Sequence, residues 1–264
     1  MQFNRELKNR SVEVNLTIEN TVRDIIQDVR LNGDKAIKKY NEKFDQYTGD
    51  FVIENKAIED ANFMRILNRA KEQITLFHKN QISEGFELKK ENGVIMGQFM
   101  RPLQRVAVYV PGGKASYPSS VLMNVIPAQL AGVKEIAVFT PDPSNDVLMA
   151  CKVVGINTIY KIGGAQAIAA MAYGTESIKK FDKIVGPGNI YVATAKKQVV
   201  GDVDIDMVAG PSEVLVIADE LANPAYIAAD LMSQAEHDEM AKAILITTSE
   251  NIIKETEKEI EKQI

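Results

Sequence analysis

The sequence predicts an α/β protein in which parallel strands are covered by helices on both faces. After residue 101, short apolar runs of β type alternate with glycine-bearing turns and helical stretches, which is typical of βαβ units. Residues 1–100 are more polar and mostly helical in pattern. With 264 residues, the chain is long enough for one large domain or two modest ones.

The elements before residue 101 follow from spacing and turn residues. Apolar residues recur at helical spacing over 17–44, and Asn32-Gly33-Asp34 interrupts them, so two helices are expected there rather than one. A further helix is predicted over 58–80. The segment 86–99 has Asn92-Gly93 between apolar residues, which predicts a β-hairpin.

The elements after residue 101 alternate between the two types. Strands are predicted at 106–110, 135–140, 158–162, 183–185, 213–217 and 243–247. Helices are predicted at 119–131, 143–154, 165–172, 190–199, 226–239 and from Ser249 to the end of the chain.

Composition excludes several protein classes. The formal net charge is −5 and no Lys/Arg block stands out, which argues against general nucleic-acid binding. The N-terminal residues are polar, unlike a signal peptide, and polar residues and Pro127 break the most apolar stretch, 121–139, so no membrane span is expected. Because Cys151 is the only cysteine, no intrachain disulfide forms, and a cytoplasmic setting is expected.

Three glycine turns each join a predicted strand to a predicted helix. Their sequences are VPGGK (110–114), IGGAQ (162–166) and GPGN (186–189). Glycine lets a ligand approach the backbone, and the helix N-terminus that follows offers free N–H groups to anions. A plain βα connection explains any one of them as well, and none matches GxGxxG. Three in one segment favour a nucleotide-binding crevice.

A Gln–His pair is the candidate metal site. Gln234 and His237 lie three residues apart in SQAEHD, so on a helix they share one face, where a carbonyl oxygen and an imidazole nitrogen can hold one side of a divalent ion. The alternative is a histidine that only makes hydrogen bonds. Two ligands are fewer than catalytic zinc needs. The other histidine, His78, lies in a polar helix with no expected site role.

Cys151 is weighed as a catalytic thiol. It lies inside the apolar helix 143–154, whereas a reactive thiolate needs a cationic neighbour or a helix N-terminus. A buried, unreactive cysteine is therefore expected, which argues against a thiol-based aldehyde dehydrogenase.

Five motifs in fixed order carry a family resemblance. They are VAVYVPGGKASYPSS with its downstream helix, KIGGAQAIAAMAYGT, DKIVGPGNIYVATAKKQV, DIDMVAGPSEVLVIAD and DLMSQAEHD. Together they closely resemble the L-histidinol dehydrogenase family. The resemblance extends through essentially the whole chain and is densest over 106–238, which makes it far more specific than any single motif.

The resemblance implies an activity and a fold. The family oxidises L-histidinol through L-histidinal to L-histidine with NAD, in the last steps of histidine biosynthesis, as a zinc-dependent homodimer. The fold implied has two Rossmann-like parallel-sheet domains, is aldehyde-dehydrogenase-like, and has one domain inserted in the other. Residues 109–212 would be the inserted NAD-binding domain, and 1–108 with 213–264 an incomplete first α/β domain with a helical N-terminal segment.

The resemblance also assigns site residues. Tyr109, Gln166 and Asn189 correspond to NAD-contacting positions, and Ser212 to a substrate contact. Gln234 and His237 correspond to two zinc ligands that also hold the substrate. Zinc would orient the amino alcohol through its amine and imidazole nitrogens, and the cofactor would accept the hydride.

The resemblance is incomplete at the C-terminal side. The family's acid/base Glu–His pair and its remaining zinc ligands are expected beyond Ile264, so no catalytic residue is assigned within this chain. The C-terminal portion is therefore expected to be missing, and this chain alone is expected to show no useful turnover and weak zinc affinity. The alternative function is a non-catalytic nucleotide- or imidazole-binding module derived from the same fold. Neither nucleic acid nor a membrane is an expected partner.

Overall fold

The structure is a computed structural model that describes residues 16–112, 116–208, 213–235 and 241–264. The chain divides into two compact units, Met1–Val208 and Ala209–Ile264. The helices of the described residues are α1 (Leu16–Asp45), α2 (Ala61–His78), α3 (Pro118–Leu130), α4 (Asn145–Val153), α5 (Gly164–Tyr173), α6 (Ile190–Gln198), α7 (Pro224–Ala235) and α8 (Glu250–Gln263). The strands are β1 (Val52–Ile53), β2 (Phe86–Lys89), β3 (Ile95–Gln98), β4 (Arg105–Tyr109), β5 (Glu135–Phe139), β6 (Ile159–Tyr160), β7 (Lys183–Val185), β8 (Asp204–Ile205), β9 (Glu213–Ala218) and β10 (Lys242–Thr247).

The first unit contains a six-stranded sheet in the order β1-β6-β5-β4-β7-β8. Strands β4 to β8 pair in parallel and β1 pairs antiparallel with β6. Numbered along the chain, the parallel strands have the order 3-2-1-4-5, which is that of doubly wound nucleotide-binding sheets, and the order reverses between β4 and β7. The predicted α/β class is confirmed.

Helices cover both faces of this sheet. On one face, α1 and α5 contact each other and both contact α6; on the other, α2, α3 and α4 contact one another. Side chains alternate between the two layers along β4 and the residue after it: Ala107 and Tyr109 join the first core, whereas Val108 and Val110 join the second. Because both faces are buried, the strands are almost wholly apolar, which is why the sequence shows them as runs rather than alternations.

Helix α1 bends at Gly33, where the backbone has φ 50° and ψ −129°. The predicted interruption is therefore confirmed. The N–H of Asp34 donates to the Glu176 carboxylate at 2.8 Å. Asp28, before the bend, accepts hydrogen bonds from Lys39 at 2.7 Å and Tyr40 at 2.9 Å, after it. These contacts fix the direction of the second half of α1.

The hairpin and the second unit also agree with the sequence. β2 and β3 form the predicted antiparallel hairpin. In the second unit, β9 and β10 pair in parallel, and Ile227, Leu231 and Ile252 of α7 and α8 form its buried core. None of the helices in the described ranges has the length and apolar character needed to cross a membrane.

The observed division of the chain lies at Val208. Helices α1 and α2 pack on the sheet of the first unit, so that unit extends well before residue 109, the predicted start of the inserted domain. The strand β1 at Val52–Ile53 is part of the same sheet. The grouping of residues 1–108 with 213–264 stays a prediction.

Candidate functional site

A cavity of about 740 Å³ lies at the carboxyl ends of the parallel strands in the first unit. It is lined by residues within three positions of the strand ends: Pro111 and Gly112 after β4, Pro141 and Asp142 after β5, and Lys161 after β6. Open parallel sheets bind ligands at this edge, next to the point where the strand order reverses. The sheet topology therefore places the cavity at the position expected of a nucleotide site.

Tyr109, the last residue of β4, lines the cavity and is only 3% exposed. Its phenol oxygen accepts a hydrogen bond from the backbone N–H of Gly164 at 3.1 Å. Burial raises the pKa of Tyr109 to about 12, so the phenol keeps its proton at neutral pH. The hydroxyl can therefore donate to a ligand while it holds the start of α5.

Gln166, in the first turn of α5, also lines the cavity and is 1% exposed. Neither its Oε1 nor its Nε2 has a hydrogen-bond partner among the residues that the structure describes. Gly164 has φ +62°, and a Cβ placed there would lie 2.6 Å from Gln166 Oε1. A buried amide without hydrogen-bond partners costs about 1–3 kcal/mol. Such an unpaired group is typical of a site where a bound ligand supplies the missing hydrogen bonds.

Asn189 ends the loop after β7 and caps α6. Its Oδ1 accepts hydrogen bonds from the N–H groups of Tyr191 and Val192, both at 3.1 Å. The side chain is exposed and lines the cavity. Because Oδ1 is engaged in the cap, the Nδ2 group is the one available to a ligand.

Gly186 brings this loop against the end of β4. Its φ is +109°, and a Cβ at this position would lie 2.1 Å from the carbonyl oxygen of Tyr109. Only glycine permits so close an approach in this conformation. The structure therefore brings together around one cavity the three predicted cofactor residues, Tyr109, Gln166 and Asn189.

Sequence reasoning missed four charged residues that line the same cavity: Lys43, Asp45, Asp142 and Lys161. Lys161 Nζ lies 3.4 Å from Asp142 Oδ1 and 4.5 Å from the centre of the Tyr47 ring. Asp142 lies three positions past β5 and Lys161 one position past β6, so the rule that ligands bind at strand ends would have found them. Asp45 follows no strand and has no comparable signal in the sequence. It reaches the cavity because it is the last residue of the bent helix α1.

Asp45 is a partly buried carboxylate at the end of α1. Its Oδ2 is buried and has no hydrogen-bond partner within the described ranges. Burial raises the pKa of Asp45, whereas the nearby charge of Lys161 lowers it and that of Asp142 raises it. A ligand N–H or O–H group would relieve this desolvation.

The predicted metal and substrate residues are only partly visible. Gln234 lies half-buried near the end of α7, whereas Ser212 and His237 lie outside the described residues. Within those residues, no group of three or more His, Cys, Asp and Glu side chains is placed to hold a metal ion. The zinc assignment therefore stays a prediction.

The two remaining candidates are accounted for. Cys151 is fully buried in α4, and burial raises the pKa of its thiol to about 12, which confirms the expected unreactive cysteine. His78 Nδ1 lies 2.6 Å from Gln81 Oε1 at the exposed end of α2.

Comparison with known proteins gives a consistent result. The family model described as histidinol dehydrogenase matches residues 8–264. The chain is 54% identical to histidinol dehydrogenase from Lactococcus lactis over 98% of its own length and 63% of that protein, and 52% identical to the Listeria monocytogenes protein of the same name over 94% and 61%. The crystal structure of histidinol dehydrogenase from Elizabethkingia anophelis is 41% identical, with a TM-score of 0.85 over 93% of this chain and 60% of that one. The chain thus spans about three fifths of the length of the relatives it matches.

Proposed function

Because the chain belongs to the histidinol dehydrogenase family, we propose that its first unit binds NAD within an enzyme that oxidises L-histidinol to L-histidine. The observation that carries this proposal is the convergence of Tyr109, Gln166 and Asn189 on one cavity at the carboxyl edge of a 3-2-1-4-5 sheet. The cavity of about 740 Å³ has the size of a cofactor pocket.

The residues present fit a dinucleotide. Among the residues that the structure describes, Gln166 has an acceptor and a donor without partners, and Asp45 has an acceptor without one. Tyr109 and Asn189 supply further donors. Carboxamide, ribose and base groups carry the complementary donors and acceptors, so we assign these four residues to cofactor binding. When bound, the nicotinamide ring supplies a hydride acceptor.

The substrate side of the proposal rests on the family. We assign Ser212, Gln234 and His237 to L-histidinol binding, with Gln234 and His237 as ligands of a zinc ion that would orient the amino alcohol. No catalytic acid or base is assigned among residues 1–264. A homodimer in the cytoplasm completes the proposal. The relatives compared above all carry the enzyme's name, so the alternative of a non-catalytic binding module is not favoured.

Calorimetric titration of the chain with NAD⁺ tests the cofactor assignment. We expect saturable binding that is weakened in Gln166→Met and unchanged in Gln129→Met, since Gln129 donates to Val154 O away from the cavity. Absence of binding, or equal affinity in both variants, would reject the site. For the complete protein, histidinol-dependent NADH formation and the zinc content of His237→Asn test the reaction and the metal assignment separately.

A further inference from the structure

A buried lysine lies behind the cavity rather than in it. Lys196, on α6, is 2% exposed, and its ammonium group forms an ion pair with Asp206, which directly follows β8. Neither side chain lines the cavity. Burying two charges removes their hydration, so such a pair contributes little net stability compared with apolar residues of similar size. Its presence calls for a reason other than stability.

The pair holds the backbone of a single residue, Gly186. Lys196 Nζ donates to the Gly186 carbonyl oxygen at 2.9 Å. Asp206 Oδ2 accepts a hydrogen bond from the Gly186 N–H at 2.7 Å. Both polar groups of this peptide position are therefore engaged by one ion pair, which comes from two different elements of the fold.

Gly186 is the residue on which the loop geometry depends. It lies directly against the Tyr109 carbonyl in a conformation that strains any other residue. Three residues later the loop reaches Asn189, which caps α6 and lines the cavity. A shift of Gly186 would therefore move Asn189 relative to Tyr109.

We propose that Lys196 and Asp206 are positioning residues that lock Gly186, and through it hold the 186–189 loop so that Asn189 stays at the cavity opposite Tyr109. This role rests on the proposed function, because Asn189 is assigned to NAD binding there. The ion pair acts through the loop and touches no ligand. It lowers the ordering cost of cofactor binding because the loop is fixed beforehand.

The test uses the full chain with Lys196→Met and with Asp206→Asn, which keeps the shape of the side chain. Leu67→Ala is the matched control, since Leu67 is 4% exposed in the core on the opposite face of the sheet. Two quantities are measured: hydrogen exchange of the amides at 186, 188 and 189, and the NAD⁺ dissociation constant by calorimetry.

We expect Lys196→Met to raise exchange at these amides and to raise the NAD⁺ dissociation constant about tenfold. Asp206→Asn should change both in the same direction by less. Leu67→Ala should lower the melting temperature and change neither. If Lys196→Met does not fold, Asp206→Asn decides.

Loop exchange equal to wild type in the folded variants overturns the proposal, as does a loosened loop with unchanged NAD⁺ affinity. If the wild-type chain binds no NAD⁺ but the variants still loosen the loop, the positioning of the loop stands and the proposed cofactor function fails. The two failures are therefore distinguishable.

Discussion

The phenol oxygen of Tyr109 and the backbone N–H of Gly164 are joined by a hydrogen bond of 3.1 Å that links the end of β4 to the start of α5. Tyr109→Phe leaves that partly buried N–H without its partner and should lower the free energy of unfolding by about 1–2 kcal/mol. The variant should also bind NAD⁺ more weakly. Urea denaturation and calorimetry measure the two effects. Tyr173→Phe is the control, because its hydroxyl bonds to Asp202 away from the cavity; an equal loss of affinity there would contradict the assignment.

Gln166→Met should change stability and binding in opposite directions. The substitution removes a buried amide that has no partner in the described part of the chain, so the free protein should gain about 1 kcal/mol. NAD⁺ affinity should fall at least about tenfold, since the ligand loses two hydrogen bonds. Gln129→Met removes a satisfied hydrogen bond to Val154 O, so it should lower stability and leave NAD⁺ affinity unchanged. A loss of stability in Gln166→Met would show that the amide has a structural partner.

Asn189 has a capping role and a proposed binding role, which two substitutions separate. Asn189→Asp keeps the cap of α6 but replaces the Nδ2 donor with a charged acceptor, so stability should hold while NAD⁺ affinity falls. Asn189→Ala should lose both, with about 1 kcal/mol of stability. Ser144→Ala, which removes the cap of α4, should lose stability alone. Unchanged affinity in Asn189→Asp would remove Asn189 from the site.

Asp45 and Asp28 should show opposite pH dependence. Burial raises the pKa of Asp45, so its stabilising contribution is present below the unfolded pKa of about 4 and is lost as pH rises through the folded value. Asp45→Asn should therefore be more stable than wild type at neutral pH and not at low pH. Hydrogen bonds from Lys39, Asn32 and Tyr40 lower the pKa of Asp28 to about 2.

For Asp28 the pH dependence of the contribution to stability has the opposite sign. Its contribution is present above about pH 4 and is lost as pH falls toward 2, so Asp28→Asn should be the less stable variant at neutral pH. Unfolding free energies measured from about pH 2 to about pH 8, a range that spans both windows, test this. Equal curves for both variants and wild type would contradict the pKa directions. NAD⁺ affinity should fall in Asp45→Asn only.

The Cys151 thiol should not react with alkylating reagents in the folded protein. Since burial raises its pKa to about 12, iodoacetamide should label the denatured chain and not the folded one. Cys151→Ala should leave NAD⁺ binding, and the turnover of the complete protein, unchanged. If Cys151→Ala folds normally but the complete protein loses turnover, a thiol mechanism would be supported.

The elements with strong local signals were predictable from the sequence. The bend at Gly33 and the hairpin around Asn92-Gly93 were found because glycine and turn residues interrupt regular apolar spacing. The three glycine turns identified the edge of the sheet that carries the cavity. Strands β1 and β8 were missed because two residues are too few to show a period.

Residues that depend on long-range packing were not predictable. Asp45 reaches the cavity only because α1 bends at Gly33 and packs against α5 and α6. Likewise, Lys196 appears in sequence as one of two adjacent lysines, yet it is buried while Lys197 is exposed. Helical periodicity shows which face of the helix a residue occupies. It does not show that a charged partner such as Asp206 lies next to that face.

The crowding at Gly186 also limits how this protein can vary. Any side chain there meets the Tyr109 carbonyl, a backbone atom that no rotamer change can move. In a saturation-mutagenesis library selected for a folded chain, position 186 should be restricted to glycine, while the exposed neighbour Pro187 accepts many residues. Attempts to redesign cofactor preference should therefore vary the residues at the strand ends, Asp142 and Lys161, and leave this loop untouched.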